Sequence, residues 1–503
     1  LSKKTVTDCA RRYLTEGYGC VFKRQGIDAS AKKIDKPHIS PIETNRDKTS
    51  AFVDSVLAMP VAEVEPVFVD FSREVQKGTL MGGNELLAHR DVDSRLFHLS
   101  FVIERGTKED PALDVAEQYL PYLGTDSMDA SQLQSRLYAL ACAATLSTEA
   151  GRTRLTLSGL AENMEEALRL TERWIATARP DTAIYAQVVN DILKLRADNK
   201  TNQKACFNAL TQYGIYGPHN AITDAMDAAR MRQLGAAGVL QHLRSLSGVA
   251  QHVLYYGPLE STQVSRLVNE VHPMSEHPEA AHDGQFYTPL QVDESRVIIA
   301  PFQAKNTYMM GYSSRGEQFS LALKPYVGVF NEYFGGGMNS IVFQELRESR
   351  GLAYNASALF SQASRPSDRE WFFTRIITQN DKLKDCLNVF DEIVEQMPQS
   401  ESAFSLAREA VIKRLATQRI LREQILDYYL RCRDQGLDDD PDKAVYEKVK
   451  TLTMADLLSF HEREIAKRKY HLLLLGDEAD WDMSSLQQRG AIQRVTLKDI
   501  FGY

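Results

Sequence analysis

The chain has 503 residues, enough for two to four domains. Hydrophobic residues make up 43%, ordinary for a protein with packed cores, and the formal net charge of -8 argues against nucleic acid as the main partner. No apolar run reaches the length of a membrane span; the longest, near Leu137 to Leu146, is core-sized.

The first residues, Leu1-Ser2-Lys3-Lys4, open a predicted helix, followed by a predicted strand at Tyr18-Gly19-Cys20-Val21-Phe22 and a stop at Gly26. Residues 27–75 are rich in Lys, Asp, Pro and Ile, with Pro37, Pro41, Pro60 and Pro66; this composition suits a tether with little regular structure. The segment Arg152-Thr-Arg-Leu-Thr-Leu-Ser-Gly159 alternates as a strand does and leads into a helix with Met164, Ala167 and Leu168 on one face. A helical stretch from Leu234 ends in the strand His252-Val-Leu-Tyr-Tyr256 and Gly257. Residues 266–292, with Pro273, Pro278 and Pro289, are expected to be a linker.

Beyond the linker stands Gly335-Gly336-Gly337-Met338-Asn339-Ser340, running on through Val342, Phe343, Leu346 and Arg347 to Gly351 and Tyr354. Three successive glycines permit a sharp turn or a close approach to another backbone. Asn339 or Ser340 can cap the helix that follows, and Gly351 fits the position just past its end. Val342, Phe343 and Leu346 form an apolar stripe that would dock on a sheet. Seven residues of unbroken helix would hold Arg347 and Tyr354 about 10 Å apart. With Gly351 turning the chain, guanidinium and phenol can point into one space.

The strand Trp371-Phe-Phe-Thr-Arg-Ile-Ile-Thr378, followed by Leu383, Cys386 and Leu387, repeats the pattern at Arg152 with an offset of 219. Gly476, after the strand His471-Leu-Leu-Leu-Leu475 and a helix from near Thr453, lies 219 residues beyond Gly257. Two copies of one domain, 76–265 and 293–503, are therefore expected. The fold class is α+β, each copy a mixed, mainly antiparallel sheet covered by helices. The spacing from Leu1 to Gly26 is 25 and from Leu452 to Gly476 is 24, so residues 1–26 read as the tail of a preceding domain whose body lies outside this chain.

The glycine-rich string through Tyr354 resembles the second half of the pitrilysin-type zinc metallopeptidases, the inverzincins, a group that includes insulin-degrading enzyme and the mitochondrial processing peptidases. The resemblance implies a non-catalytic C-terminal half that closes over a peptide or small unfolded protein. The catalytic half, in the same polypeptide or as a processed partner, would supply zinc. Arg347 would hold a substrate carbonyl and Tyr354 would donate to the developing oxyanion. Ion pairing of Arg347 with Glu345 or Glu348, and a buried aromatic role for Tyr354, are the alternatives. A catalytically dead scaffold of the same fold is the rival function. The compartment, bacterial periplasm or cytoplasm, and association as a homodimer are left open.

In the family, His-x-x-Glu-His on a helix ahead of a Gly-Thr pair binds zinc. The matching place is Val115-Ala116-Glu117-Gln118-Tyr119, ahead of Gly124-Thr125, where Val115 and Tyr119 replace the ligands and Gln118 the base. No cofactor is expected in this chain. Glu117 reads as a solvated helix residue. His272, Glu276, His277 and His282 read as linker polars, because Pro273 and Pro278 interrupt any helix aligning them. His461-Glu462-Arg463-Glu464 reads as an exposed helix face, and Asp438-Asp439-Asp440 as a solvated turn. Cys9, Cys20, Cys142, Cys206, Cys386 and Cys432 include no Cys-x-x-Cys pair and read as buried free thiols. No Gly-Lys-[Ser/Thr] follows Gly337, and there is no Gly-x-Ser-x-Gly elbow.

Overall fold

The computed structural model describes residues 2–23, 26, 30, 49–281 and 286–503. The chain divides into two compact units, residues 1–40 and 41–503. In the first unit the helix Lys3–Tyr13 is capped by Ser2, whose hydroxyl accepts from the Thr5 N–H at 3.2 Å. Val6, Tyr13 and Leu14 are exposed. The strand expected at Tyr18–Phe22 does not form; those residues are irregular, and Tyr18, Val21 and Phe22 are exposed. A single extended segment with no neighbouring strand has no ladder to satisfy its backbone.

Part of the region expected as a tether, 27–29 and 31–48, lies outside the described residues. Residues Ala51–Leu57 form a short helix capped by Ser50. The segment after it binds the far end of the chain: Val69 N–H donates to Asp440 at 2.8 Å, and Arg419 donates to the Glu65 carbonyl at 3.1 Å.

The second unit holds two six-stranded mixed sheets covered by helices, an α+β architecture. The first sheet comprises β1 (Gln76–Thr79), β2 (Glu85–Arg90), β3 (Leu96–Ile103), β4 (Cys142–Thr148), β5 (Thr153–Leu160) and β6 (Gln251–Gly257), in the order β1-β2-β6-β3-β5-β4. The second comprises β7 (Arg296–Pro301), β8 (Asn306–Ser313), β9 (Ala353–Ser361), β10 (Trp371–Gln379), β11 (His471–Gly476) and β12 (Ala491–Arg494), in the order β12-β7-β11-β8-β10-β9. Five strands agree in order and direction. In each sheet the pair β2·β6 or β7·β11 is parallel, and the next three pairings are antiparallel. The sixth strand differs: β1 enters from the N-terminal side and runs antiparallel to β2, whereas β12 comes from the C-terminal side and runs parallel to β7.

Each sheet buries one face under helices of its own half. The other face is covered by a helix from the opposite half. The helix Gln203–Tyr216 sets Cys206, Phe207 and Leu210 against Ile298, Met310, Leu473 and Leu475 of the second sheet. The helix Ile425–Asp434 sets Ile425, Leu426 and Tyr429 against Leu87, Val102 and Leu254 of the first. The offset between Cys206 and Ile425, and between Leu210 and Tyr429, is again 219. The exchange is reciprocal, so neither sheet is dry without the other half.

Charges rim the second of these contacts, that of the helix Ile425–Asp434 with the first sheet. Arg152 bonds Glu104 at 2.9 Å and Asp434 at 2.5 and 2.9 Å. Glu85 pairs with Arg433 at 2.5 Å and His252 at 3.0 Å. The His252 hydrogen bond, then Arg433, holds the Glu85 carboxyl down to about 2.

Candidate functional site

The glycine string begins where a helix ends against a sheet edge. The helix Lys324–Phe330 widens into a π-helical turn over Asn331–Gly335, with Phe330 and Phe334 stacked at 5.0 Å inside the core. Strand β9 is the edge of its sheet. Asn331 meets that edge twice, donating to the Phe360 carbonyl at 2.9 Å and accepting its N–H at 2.8 Å. Gly335 lies so close to β9 that a Cβ there would sit 2.1 Å from the Ala358 carbonyl oxygen. A Cβ on Gly336 would be 2.6 Å from the Asn331 carbonyl oxygen, whereas one on Gly337 would come no nearer than an ordinary 3.9 Å to Glu332 Oε1.

Ser340 is the helix cap. Its hydroxyl accepts from the Phe343 N–H at 3.4 Å and donates to the Gly337 carbonyl at 2.6 Å. Ile341, Val342 and Leu346 are buried, so the docking stripe is Ile341, Val342 and Leu346. Phe343, expected on that stripe, is only partly buried. The helix passes through a second widened turn, Gln344–Ser349, and stops at Gly351, whose φ of +55° is the left-handed conformation that favours glycine. The Gly351 N–H returns to the Arg347 carbonyl at 3.1 Å, and the Leu352 N–H to that of Leu346 at 2.8 Å. β9 starts two residues on, with Tyr354 as its second residue.

This turn brings Arg347 and Tyr354 together. The guanidinium carbon of Arg347 lies 5.8 Å from the centre of the Tyr354 ring and 4.8 Å from that of Phe343. Tyr354 is 78% exposed, so it is not a buried aromatic. Among the described residues Arg347 pairs with Glu348, at 3.6 Å, with both side chains half exposed. A surface pair of that length binds weakly and leaves the guanidinium able to meet a ligand. Glu345 turns to Arg350 at 3.4 Å. The Phe343 platform was not singled out in the sequence; its signal was the i, i+4 spacing to Arg347.

The candidate metal position is closed. Val115 and Tyr119 lie on the helix Ala112–Tyr119 with no exposed surface. The Tyr119 hydroxyl donates to the Asp181 carbonyl at 2.9 Å and accepts the Asp181 N–H at 2.7 Å. Gln118 is exposed and donates to the Asp114 carbonyl at 3.3 Å. A valine methyl and a fully bonded phenol cannot ligate zinc, so these residues do not fit the metal. Among the described residues no three His, Cys, Asp or Glu side chains gather as a metal site.

Several polar residues expected at the surface are structural. Glu117 is not simply solvated; it accepts from the Thr148 N–H at 2.8 Å and the Thr148 hydroxyl at 2.5 Å, closing the end of β4. His272 is not a linker polar; it is buried, stacked on Phe101 at 3.8 Å and bonded to Glu172 at 2.7 Å. Glu276 and His277 are exposed as expected, and His282 lies outside the described residues. His461 is buried beside Phe330 and Phe334, and burial pushes its pKa down. Asp440 binds Val69 and the Tyr428 hydroxyl, the latter at 2.6 Å. Cys9 and Cys20 are exposed, while the other four cysteines are buried; all six are free thiols.

The peptidase M16 inactive domain is the family whose model matches, over residues 249–411. No curated protein matches the chain. Among solved structures, the peptidase M16 inactive domain from Pseudomonas fluorescens superposes with a TM-score of 0.66 at 17% identity, covering 81% of this chain and 99% of that one. The ferredoxin protease FusC, solved in complex with Arabidopsis ferredoxin, gives 0.65 at 9% identity, covering 95% of this chain and 51% of FusC. The periplasmic protease PqqL from Escherichia coli gives 0.60 at 13%, covering 95% of this chain and 51% of PqqL. This chain thus spans about half the length of the two proteases.

Proposed function

From a chain that belongs to the pitrilysin-type M16 peptidases and carries their inactive domain, we infer a role in holding a peptide substrate for a catalytic half. The observation that carries the reading is the pairing of Arg347 and Tyr354 on one exposed surface, 5.8 Å apart across the turn at Gly351. Two unlike hydrogen-bond donors at that spacing suit two stages of one substrate group. Arg347, steadied over the Phe343 ring, would bind a peptide carbonyl by a charge-assisted hydrogen bond. The Tyr354 hydroxyl would donate to the oxygen that gains negative charge as the carbonyl is attacked. In this reading zinc belongs to the other half, because Val115, Gln118 and Tyr119 do not fit it.

Exposed apolar residues support a missing surface. Phe52, Leu57, Met59, Val61 and Val67 are at least 60% exposed. Apolar side chains exposed along one short segment favour an interaction surface there. The ferredoxin bound by FusC extends the substrate class in our reading to a small protein.

The test uses the chain alone. Elemental analysis after dialysis and a fluorogenic peptide assay should find no stoichiometric zinc and no cleavage. Fluorescence anisotropy should detect binding of an unfolded peptide, weakened about tenfold by Arg347→Ala, the loss of one charge-assisted hydrogen bond. One tightly held zinc per chain with chelator-sensitive cleavage would overturn the reading. Peptide binding indifferent to Arg347→Ala would favour a scaffold instead.

A further inference from the structure

A cavity of about 520 Å³ opens at the seam between the two halves, where the helix Ile425–Asp434 crosses the first sheet. The first half lines it with Ser147, Arg152 and Arg154, and the second with Lys324, Arg365 and Arg431. Two of the carboxylates in its walls are already engaged. Asp434 is held by Arg152, and Asp427 by Arg154 at 2.8 Å. The other, Glu149, is exposed, where water and salt screen it.

The remaining cations are less well matched. Arg431 is exposed and rests against the Tyr428 ring at 5.7 Å; among the described residues its side chain has no carboxylate partner. Arg365 is partly buried, with the Phe286 ring against it at 3.1 Å and a long contact to Asp368 at 3.4 Å. Burial lowers the affinity of Arg365 for its proton, Asp368 restores part of it, and nearby Arg152 lowers it again. Arg152 is the opposite case, since its own carboxylates outweigh its burial. Lys324 gives one hydrogen bond to Asp442 at 3.0 Å, and an ammonium carries three donors. The cavity therefore concentrates positive charge in a chain whose net charge is -8. An anion is repelled by the chain as a whole and attracted here.

We propose that this cavity takes an acidic stretch of a peptide, with side-chain carboxylates received by Arg431, Arg365 and Lys324. The inference rests on the peptide-holding reading and adds a second contact to it. The planar fork of arginine matches a carboxylate in shape as well as charge. The three cations stand on separate elements: the start of the helix Lys324–Phe330, the chain after β9, and the helix Ile425–Asp434. That distribution suits carboxylates spaced along a chain better than one compact anion. Tyr354 lies near the start of β9, and Arg365 follows its end. At about 3.3 Å per residue the ends of β9 are roughly 26 Å apart, so an extended peptide of about ten residues is long enough to reach from one site to the other.

The test is fluorescence anisotropy of the full chain with two labelled unfolded peptides, identical except that a run of Asp and Glu in one is Asn and Gln in the other. The acidic peptide should bind about tenfold tighter at low salt. That advantage should shrink in about 0.5 M NaCl, where exposed charges are screened. Arg431→Glu should abolish it and leave the neutral peptide unchanged, with circular dichroism showing the fold kept. Arg431→Gln is the milder variant should Arg431→Glu perturb folding, and should remove part of the advantage. Arg347→Ala should weaken both peptides alike. Equal affinities of the two peptides for the parent chain, or an acidic advantage that survives Arg431→Glu in the folded protein, would overturn the proposal and leave the Arg347 dependence untouched. An acidic advantage lost with Arg431→Glu, but no weakening by Arg347→Ala, would support the acidic site and overturn the role of Arg347.

Discussion

Arg152, just ahead of β5, grips Asp434, 282 residues later, through two guanidinium nitrogens. Asp434 ends the helix Ile425–Asp434, which covers the first sheet from the opposite half. Glu104, buried at the end of β3, holds the same guanidinium from the other side. Burial alone would lower the affinity of Arg152 for its proton, but its two carboxylate partners outweigh it and keep the guanidinium charged.

Breaking one partner of a mostly buried charge pair leaves the other uncompensated. Asp434→Ala should therefore destabilise the chain by about 2 kcal/mol, below the range for a fully buried pair because both side chains keep some solvent contact. Urea unfolding followed by tyrosine fluorescence measures it. A double-mutant cycle with Arg152→Ala should return most of that energy as coupling; additive losses would show that the two groups act separately.

The three glycines are unequal. Gly335→Ala drives a methyl into the β9 backbone, which cannot yield as a side-chain end can, and should destabilise by about 3 kcal/mol or prevent folding. Gly337→Ala meets its nearest neighbour, Glu332 Oε1, at an ordinary 3.9 Å and has no positive φ, and should shift stability by less than about 0.5 kcal/mol. Thermal melts of the two variants compare them directly.

Glu370 carries a pH dependence. It is fully buried, accepts from the Ser320 N–H at 3.2 Å and from Gln362 at 3.3 Å, and one of its oxygens has no partner among the described residues. Burial, with Glu317 and Glu464 nearby, pushes its carboxyl up to about 7. The folded state then binds more protons than the unfolded chain between the ordinary carboxyl range and that value. Stability contributed by this group is present at low pH and falls as pH rises to about 7, by about 2 kcal/mol, then levels off. Glu370→Gln should flatten that part of the profile and be more stable than the parent at pH 8. A denaturation series from pH 5 to pH 8 decides it.

Much of the fold is written in local pattern. The alternation at Arg152 and Trp371 yields β5 and β10, and Thr453 caps the helix it was expected to begin. The turn at Gly351 was legible because a left-handed residue after a helix is nearly a glycine property. The fate of the histidines was not. His272 and His461 are buried only because Phe101 and Glu172, or Phe330 and Phe334, come to them from distant sequence. The missing strand at Tyr18–Phe22 is the converse, a good strand pattern without a partner to pair with. Phe343 was assigned to the core by its apolarity, while its place beneath Arg347 depends on the widened helical turn.

The most direct test of the substrate-holding role is turnover of a fluorogenic peptide by this chain combined with a zinc-bearing M16 half. Tyr354→Phe should lower kcat by about 10-fold to 100-fold with little change in KM, since its hydroxyl acts only as charge develops. Arg347→Ala should raise KM as well, because it meets the carbonyl before reaction. Circular dichroism should show both variants folded, as neither side chain is in the core. Full activity in both folded variants would contradict the account and leave the glycine string as a packing device for the sheet edge.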